Sequence, residues 1–138
     1  MIDADEATRL AVRELASDLS LACQTYATGS EFFAAYTDSA PGCMVLEVRL
    51  PDTSGIEVQK RLAAKGATLP LIFLTSQNDV SLAVQLMRNG AFHYVQKPIR
   101  AMDLMRIIPA AIALDQRNRQ VQQRRDKILE RLAALTPK

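Results

Sequence analysis

The chain has 138 residues, of which 49% are hydrophobic and 23% charged, with a formal net charge of +2; this is one domain's worth of ordinary globular composition, enough for a real core and unlike a disordered chain. No apolar run approaches the roughly 18 residues of a membrane span, and the acidic start Met1-Ile2-Asp3-Ala4-Asp5-Glu6 is the reverse of a signal peptide, so a cytoplasmic protein with no membrane contact is expected. Cys23 and Cys43 are too few for a disulfide scaffold or a zinc site and read as free thiols, and a single His leaves little for His-based catalysis.

In chain order, residues 5–18 repeat Ala7, Leu10, Ala11 and Leu15 at helical spacing, with Asp5 as the predicted N-cap. Leu21–Tyr26 reads as a short strand, and Ser30–Tyr36 as a short helix capped by Ser30. Cys43-Met44-Val45-Leu46-Glu47-Val48 is a near-continuous apolar run interrupted by one carboxylate, the pattern of a strand buried on both faces. Ser54–Lys65 is helical and stopped by Gly66; Leu71–Leu74 after Pro70 is a second buried strand. Val80–Asn89 is a helix stopped by Gly90, and His93–Gln96 is a last strand before Pro98. From Met102 the pattern is helical almost to Leu135.

Strands alternating with helices at this spacing imply a parallel sheet with helical crossovers. Ligands of such sheets bind beyond the carboxyl ends of the strands. There the sequence places Asp3 and Asp5, Glu47, Thr75 with Ser76, and Lys97. Carboxylates, a hydroxyl and an ammonium on one rim suit phosphate or Mg²⁺ chemistry, because oxygens hold a hard cation while hydroxyl and ammonium bind an anion.

Four segments carry a resemblance. Ile2-Asp3-Ala4-Asp5-Glu6 resembles the acidic start of response-regulator receiver domains, and Val45–Gly55 resembles their V-L-D-V-R-L-P-x-x-S-G strand and loop. Leu71–Ser76 resembles their next strand with its switch Thr, and Gly90–Pro98 their G-A-x-x-[FY]-x-x-K-P segment. Order and spacing agree over roughly residues 2–114, and the wording is nearest the FixJ/NarL-type transcriptional regulators. The resemblance implies a CheY-like, flavodoxin-like doubly wound α/β fold, strand order 2-1-3-4-5. It implies a phospho-switch in which a histidine kinase phosphorylates an Asp at the position of Glu47. Acids at the positions of Asp3 and Ala4 would help hold Mg²⁺, and Thr75 and Lys97 would bind phosphoryl oxygens. An aromatic at Tyr94 would swing with Thr75, Pro98 would hold a structural cis peptide, and the last strand-and-helix face would self-associate.

Two departures change that expectation. Glu47 replaces the acceptor Asp, and its extra methylene carries the carboxylate about 1–1.5 Å further, where in-line attack tolerates little misplacement. Ala4 replaces an acid of the Mg²⁺ site, leaving Asp3 and Glu47 as weak ligands at best. A receiver impaired in phosphorylation, and not an enzyme, is therefore expected. Glu47 would be a permanent stand-in, with one negative charge where phosphorylation supplies about two. An ordinary receiver with an engineered Asp-to-Glu mimic, or a Mg²⁺-dependent phosphatase on the same sheet, are the alternatives.

The division expected is a receiver-like domain over 1–114 and a basic linker helix over 115–138. The latter holds seven cations against three carboxylates, a net of +4, so the rest of the chain is −2. Leu114, Val121, Ile128 and Leu135 recur at sevens, but Arg117, Asn118, Arg124 and Arg125 spoil the second apolar row, which makes a marginal coiled coil: a solvated linker helix and a C-terminal helix that self-associates are equally expected. Leu135-Thr136-Pro137-Lys138 matches the L-T-P-[RK] that opens the helix-turn-helix of FixJ/NarL-type regulators; with no helix-turn-helix present, sequence-specific DNA reading by this chain is not expected. At the other end only Met1 and Ile2 precede Asp3, so the central strand is expected to be truncated and the sheet to be left with unpaired apolar edges, unless residues further upstream or a neighbouring chain supply the pairing.

Overall fold

The computed structural model describes residues 1–38, 40–76 and 80–135. Three parallel strands, β1 (Met44–Glu47), β2 (Leu71–Thr75) and β3 (His93–Gln96), lie in the order β1-β2-β3. Five helices surround them: α1 (Glu6–Asp18), α2 (Gly29–Ala35), α3 (Gly55–Ala64), α4 (Val80–Arg88) and α5 (Ala101–Leu135). Residues 136–138 of the Leu135–Lys138 motif lie outside the described residues.

The strands alternate, and this divides the core. Met44, Leu46, Leu71 and Phe73 face a cluster with Phe32 of α2, Val58 and Leu62 of α3, and Leu86 of α4. Val45, Ile72, Leu74 and Val95 face the other way, onto Val12 and Leu15 of α1 and Leu104, Ile107, Ile108 and Ala111 of α5. Both faces of the sheet are covered, so the strands read as continuous apolar runs.

The truncated strand is paired rather than missing. Ile2, fully buried, forms parallel bridges to Tyr26 on one side and Leu46 on the other. Its amide donates to the Val45 carbonyl (2.9 Å) and its carbonyl accepts from the Glu47 amide (3.0 Å). The Asp3 amide donates to Tyr26 O (3.0 Å), the Tyr26 amide to Met1 O (2.9 Å), and the terminal ammonium to Gln24 O (2.9 Å). The lateral order Tyr26, Ile2, β1, β2, β3 is thus the expected 2-1-3-4-5, with the first two strands reduced to single bridges. The edge of β1 expected to lie open is covered at this level. The strand expected over Leu21–Tyr26 shortens to Tyr26, which bridges Ile2.

Most local signals act as read. Asp5 caps α1, accepting from the Ala7 amide (3.3 Å) and the Thr8 hydroxyl (2.6 Å). The Ser54 hydroxyl accepts from the Glu57 amide (3.2 Å) to cap α3. Gly66 (φ +74°) and Gly90 (φ +98°) follow α3 and α4 in the left-handed region that stops a helix. Pro109 sits inside α5 and removes one backbone donor, yet the helix continues to Leu135.

The start of α2 corrects the reading. Thr28, not Ser30, is the N-cap, and its hydroxyl accepts from the Glu31 amide (3.1 Å). Ser30 is held instead by Asp52, which accepts from the Ser30 hydroxyl (2.7 Å) and amide (2.9 Å) and from the Gly29 amide (3.0 Å). The Ser30 hydroxyl first, then the two amides, pull the Asp52 pKa down from 3.8 to about 2. A depressed carboxylate contributes stability that is present above the unfolded value and lost as pH falls through the folded one. Asp52→Asn should therefore lower the denaturant midpoint near neutrality and flatten its acid dependence between pH 3.8 and about 2, which parallel urea titrations of both proteins would measure.

Candidate functional site

The parallel register sets four strand ends level. Glu47 pairs with Leu74, one residue before Thr75, and Thr75 pairs with Gln96, one residue before Lys97. The Lys97 amide donates to the Thr75 carbonyl (2.7 Å), which ties the β3 exit to β2. Asp3 follows Ile2 on the far side of β1.

These residues meet at Lys97. Its ammonium lies 2.7 Å from Asp3 Oδ2 and 2.7 Å from Glu47 Oε2. The side chains are 3% (Asp3), 10% (Glu47) and 20% (Lys97) exposed, so the ion triad is largely out of water. The other oxygens have partners of their own: Asp3 Oδ1 accepts from the Asp5 amide (2.8 Å), and Glu47 Oε1 from the Arg49 amide (3.4 Å). Arg9 donates to the Asp3 carbonyl (2.6 Å). Burial acts to lower the Lys97 pKa, but hydrogen bonds from the ammonium to Asp3 and Glu47 outweigh it and hold the pKa above its ordinary value. Lys97 is the cation of a net −1 cluster and stays charged.

The other candidates sit around this centre. Thr75 is buried at the end of β2. Tyr94 is half-buried and packs against the cluster that contains Phe73 and Leu86. The Lys97–Pro98 peptide is cis. Ala4 is exposed and brings no oxygen beyond its backbone, while the Asp5 carboxylate is engaged in capping α1. Arg9 was missed by sequence reasoning; its place one helical turn beyond Asp5 was the available signal. Cys23 and Cys43 are free thiols, and burial pushes the Cys43 thiol up to about 12.

Residues 1–109 match the family model for the response regulator receiver domain. The chain belongs to the response regulator receiver domain family. It is 33% identical over 136 residues to the transcriptional regulatory protein TdiR of Thauera aromatica, covering 99% of this chain and 60% of that protein. It is 30% identical over 136 residues to the transcriptional regulatory protein FixJ of Azorhizobium caulinodans, covering 99% and 64%. Among solved structures, the response regulator StyR superposes with a TM-score of 0.90 at 29% identity, covering 98% of this chain and 68% of that one. Full-length FixJ from B. japonicum superposes with 0.78 at 30% identity, covering 99% and 67%. The chain thus spans about three-fifths of the length of these curated relatives. Receiver domains are signalling modules of two-component systems that interact with histidine kinases and typically bind Mg²⁺ in their acidic pocket. Among the described residues no helix is long and apolar enough to cross a membrane.

Proposed function

We propose that this receiver is a phosphorylation-impaired regulatory module of a transcriptional regulator, a pseudo-receiver that signals through protein contacts and catalyses no reaction. The observation that carries the reading is the double grip of Lys97 on Asp3 and Glu47. In the family's chemistry the position of Lys97 meets an incoming phosphoryl oxygen. Here the longer Glu47 side chain already brings a carboxylate oxygen to that ammonium, so Glu47 stands in for the phosphorylated acceptor with about half its charge.

The donor set does not fit a tight Mg²⁺ site. Mg²⁺ requires near-octahedral oxygen ligation. Among the described residues no group of three or more His, Cys, Asp or Glu side chains converges on one point, and Lys97 occupies the space between the two carboxylates that would have to serve. No step is routed through the metal. Thr75 and Tyr94 are the proposed switch residues, held in one state by the fixed charge of Glu47. The proposed division is a receiver over 1–114 and a basic linker over 115–138. A histidine kinase, and a second copy meeting the last strand-and-helix face and the C-terminal helix, are the partners in a cytoplasmic setting.

The test is intact mass after incubation with Mg²⁺ and a small acyl phosphate. The expected result is no gain of a phosphoryl group by the native chain, and a gain by the variant carrying Ala4→Asp with Glu47→Asp. Phosphorylation of native Glu47 would overturn the reading. Efficient phosphorylation of Glu47→Asp alone would show an ordinary receiver with only its acceptor changed.

A further inference from the structure

We propose that Asp115 and Arg119 form a latch that sets the direction in which α5 leaves the receiver body. Leu104, Ile107, Ile108, Ala111 and Asp115 are the buried residues of α5. From Gln116 to Leu135 every residue is exposed except half-buried Arg119. Asp115 is therefore the last buried residue of the helix, and it is 0% exposed.

Its contacts are directional. Asp115 Oδ2 accepts from the Gly42 amide (2.9 Å) and from Arg119 Nε (3.0 Å). The same guanidinium donates through its terminal nitrogen to Asp38 Oδ1 (2.5 Å). The i, i+4 pair thus grips the segment before β1 at two points, 73 and 81 residues away in sequence. A helix rotated by one residue would replace Asp115 with its neighbour and lose both contacts.

Stability is a poor reason for this arrangement. A buried ion pair is often no better than apolar residues of the same volume, and its best-attested use is to specify register. Among the described residues Asp115 Oδ1 is buried with no hydrogen-bond partner, which adds a desolvation cost. An apolar side chain at 115 would extend the stripe of Leu104, Ile107, Ile108 and Ala111 at less cost, but would allow the helix to roll. The carboxylate selects one orientation. Asp115 and Arg119 are thus positioning residues for whatever α5 carries, whether or not the acidic pocket takes up a phosphoryl group.

Spin labels at Lys60 of α3 and Lys127 of α5, both exposed, would read the angle between body and helix. The labels go on as Lys60→Cys and Lys127→Cys with Cys23→Ser and Cys43→Ala, and electron–electron dipolar spectroscopy gives the distance distribution. A single narrow distance is expected for this parent. Arg119→Gln and Asp115→Ala should broaden it or split it, with helical content by circular dichroism unchanged. Arg119→Gln keeps the Gly42 hydrogen bond to Asp115 with an amide donor in place of the guanidinium and leaves half-exposed Asp38 to water, so it is the milder variant and the readout where Asp115→Ala does not fold. A broad distribution in the parent, or an unaltered narrow one in Arg119→Gln, would overturn the latch.

Discussion

Lys97→Met is expected to lower the unfolding free energy by about 3 kcal/mol, the low end of the range for removing one partner of a buried ion pair. The reason is what stays behind. Asp3 and Glu47, 3% and 10% exposed, would face each other across an apolar side chain with no cation between them. The partial exposure of Lys97, at 20%, keeps the value from the top of the range. Adding Glu47→Gln to the same variant removes one of the stranded charges and should regain about 1–2 kcal/mol, a coupling typical of residues in one network. Urea titrations of the two single variants and the double variant close the cycle. A cost of Lys97→Met within about 0.5 kcal/mol, the usual range for a surface substitution, would mean that the triad is solvated and that Glu47 is no fixed stand-in.

Gly55→Ala should be nearly as costly, at about 2 kcal/mol, by overpacking. A β-carbon at Gly55 would come within 2.7 Å of Phe73 Cε1, 3.1 Å of the Glu47 carbonyl oxygen and 3.1 Å of Val48 Cα. Phe73 is fully buried in the middle of β2 and cannot swing away, and the other two atoms are backbone. The strain falls on the end of β1 that holds Glu47, where the Gly55 amide already donates to the Val48 carbonyl (2.6 Å). Thermal melts of Gly55→Ala and of Gly55→Ala with Phe73→Leu would check this: the second change makes room and should return part of the loss. An unchanged melting temperature in the single variant would show that this approach is looser than the geometry implies.

The centre of the molecule was legible because burial on both faces leaves a plain mark. Runs such as Met44–Leu46 and Leu71–Leu74 could only be interior strands, and the ends of parallel strands had to share a rim. That placed Asp3, Glu47, Thr75 and Lys97 on one rim. What stayed hidden depended on long-range partners. Ser30 looked like a cap because nothing local says that Asp52, 22 residues later, would take it. Leu21–Tyr26 had strand composition, but the length of a strand is set by its pairing, and only Tyr26 is bridged, to Ile2. Asp115 and Arg119 counted only among the charges of the 115–138 tail, because nothing local names their partners. Their true partners, Asp38 and Gly42, come from the far end of the chain.

The length of α5 gives the latch a mechanical meaning. The 20 residues beyond Asp115, from Gln116 to Leu135, extend about 30 Å at the rise of an α-helix. A tilt of about 5° at the last buried residue would therefore displace the tip by about 2.5 Å, more than the length of a covalent bond. Small rearrangements at the body reach the end of such a lever enlarged, and any domain attached there receives them as a change of position.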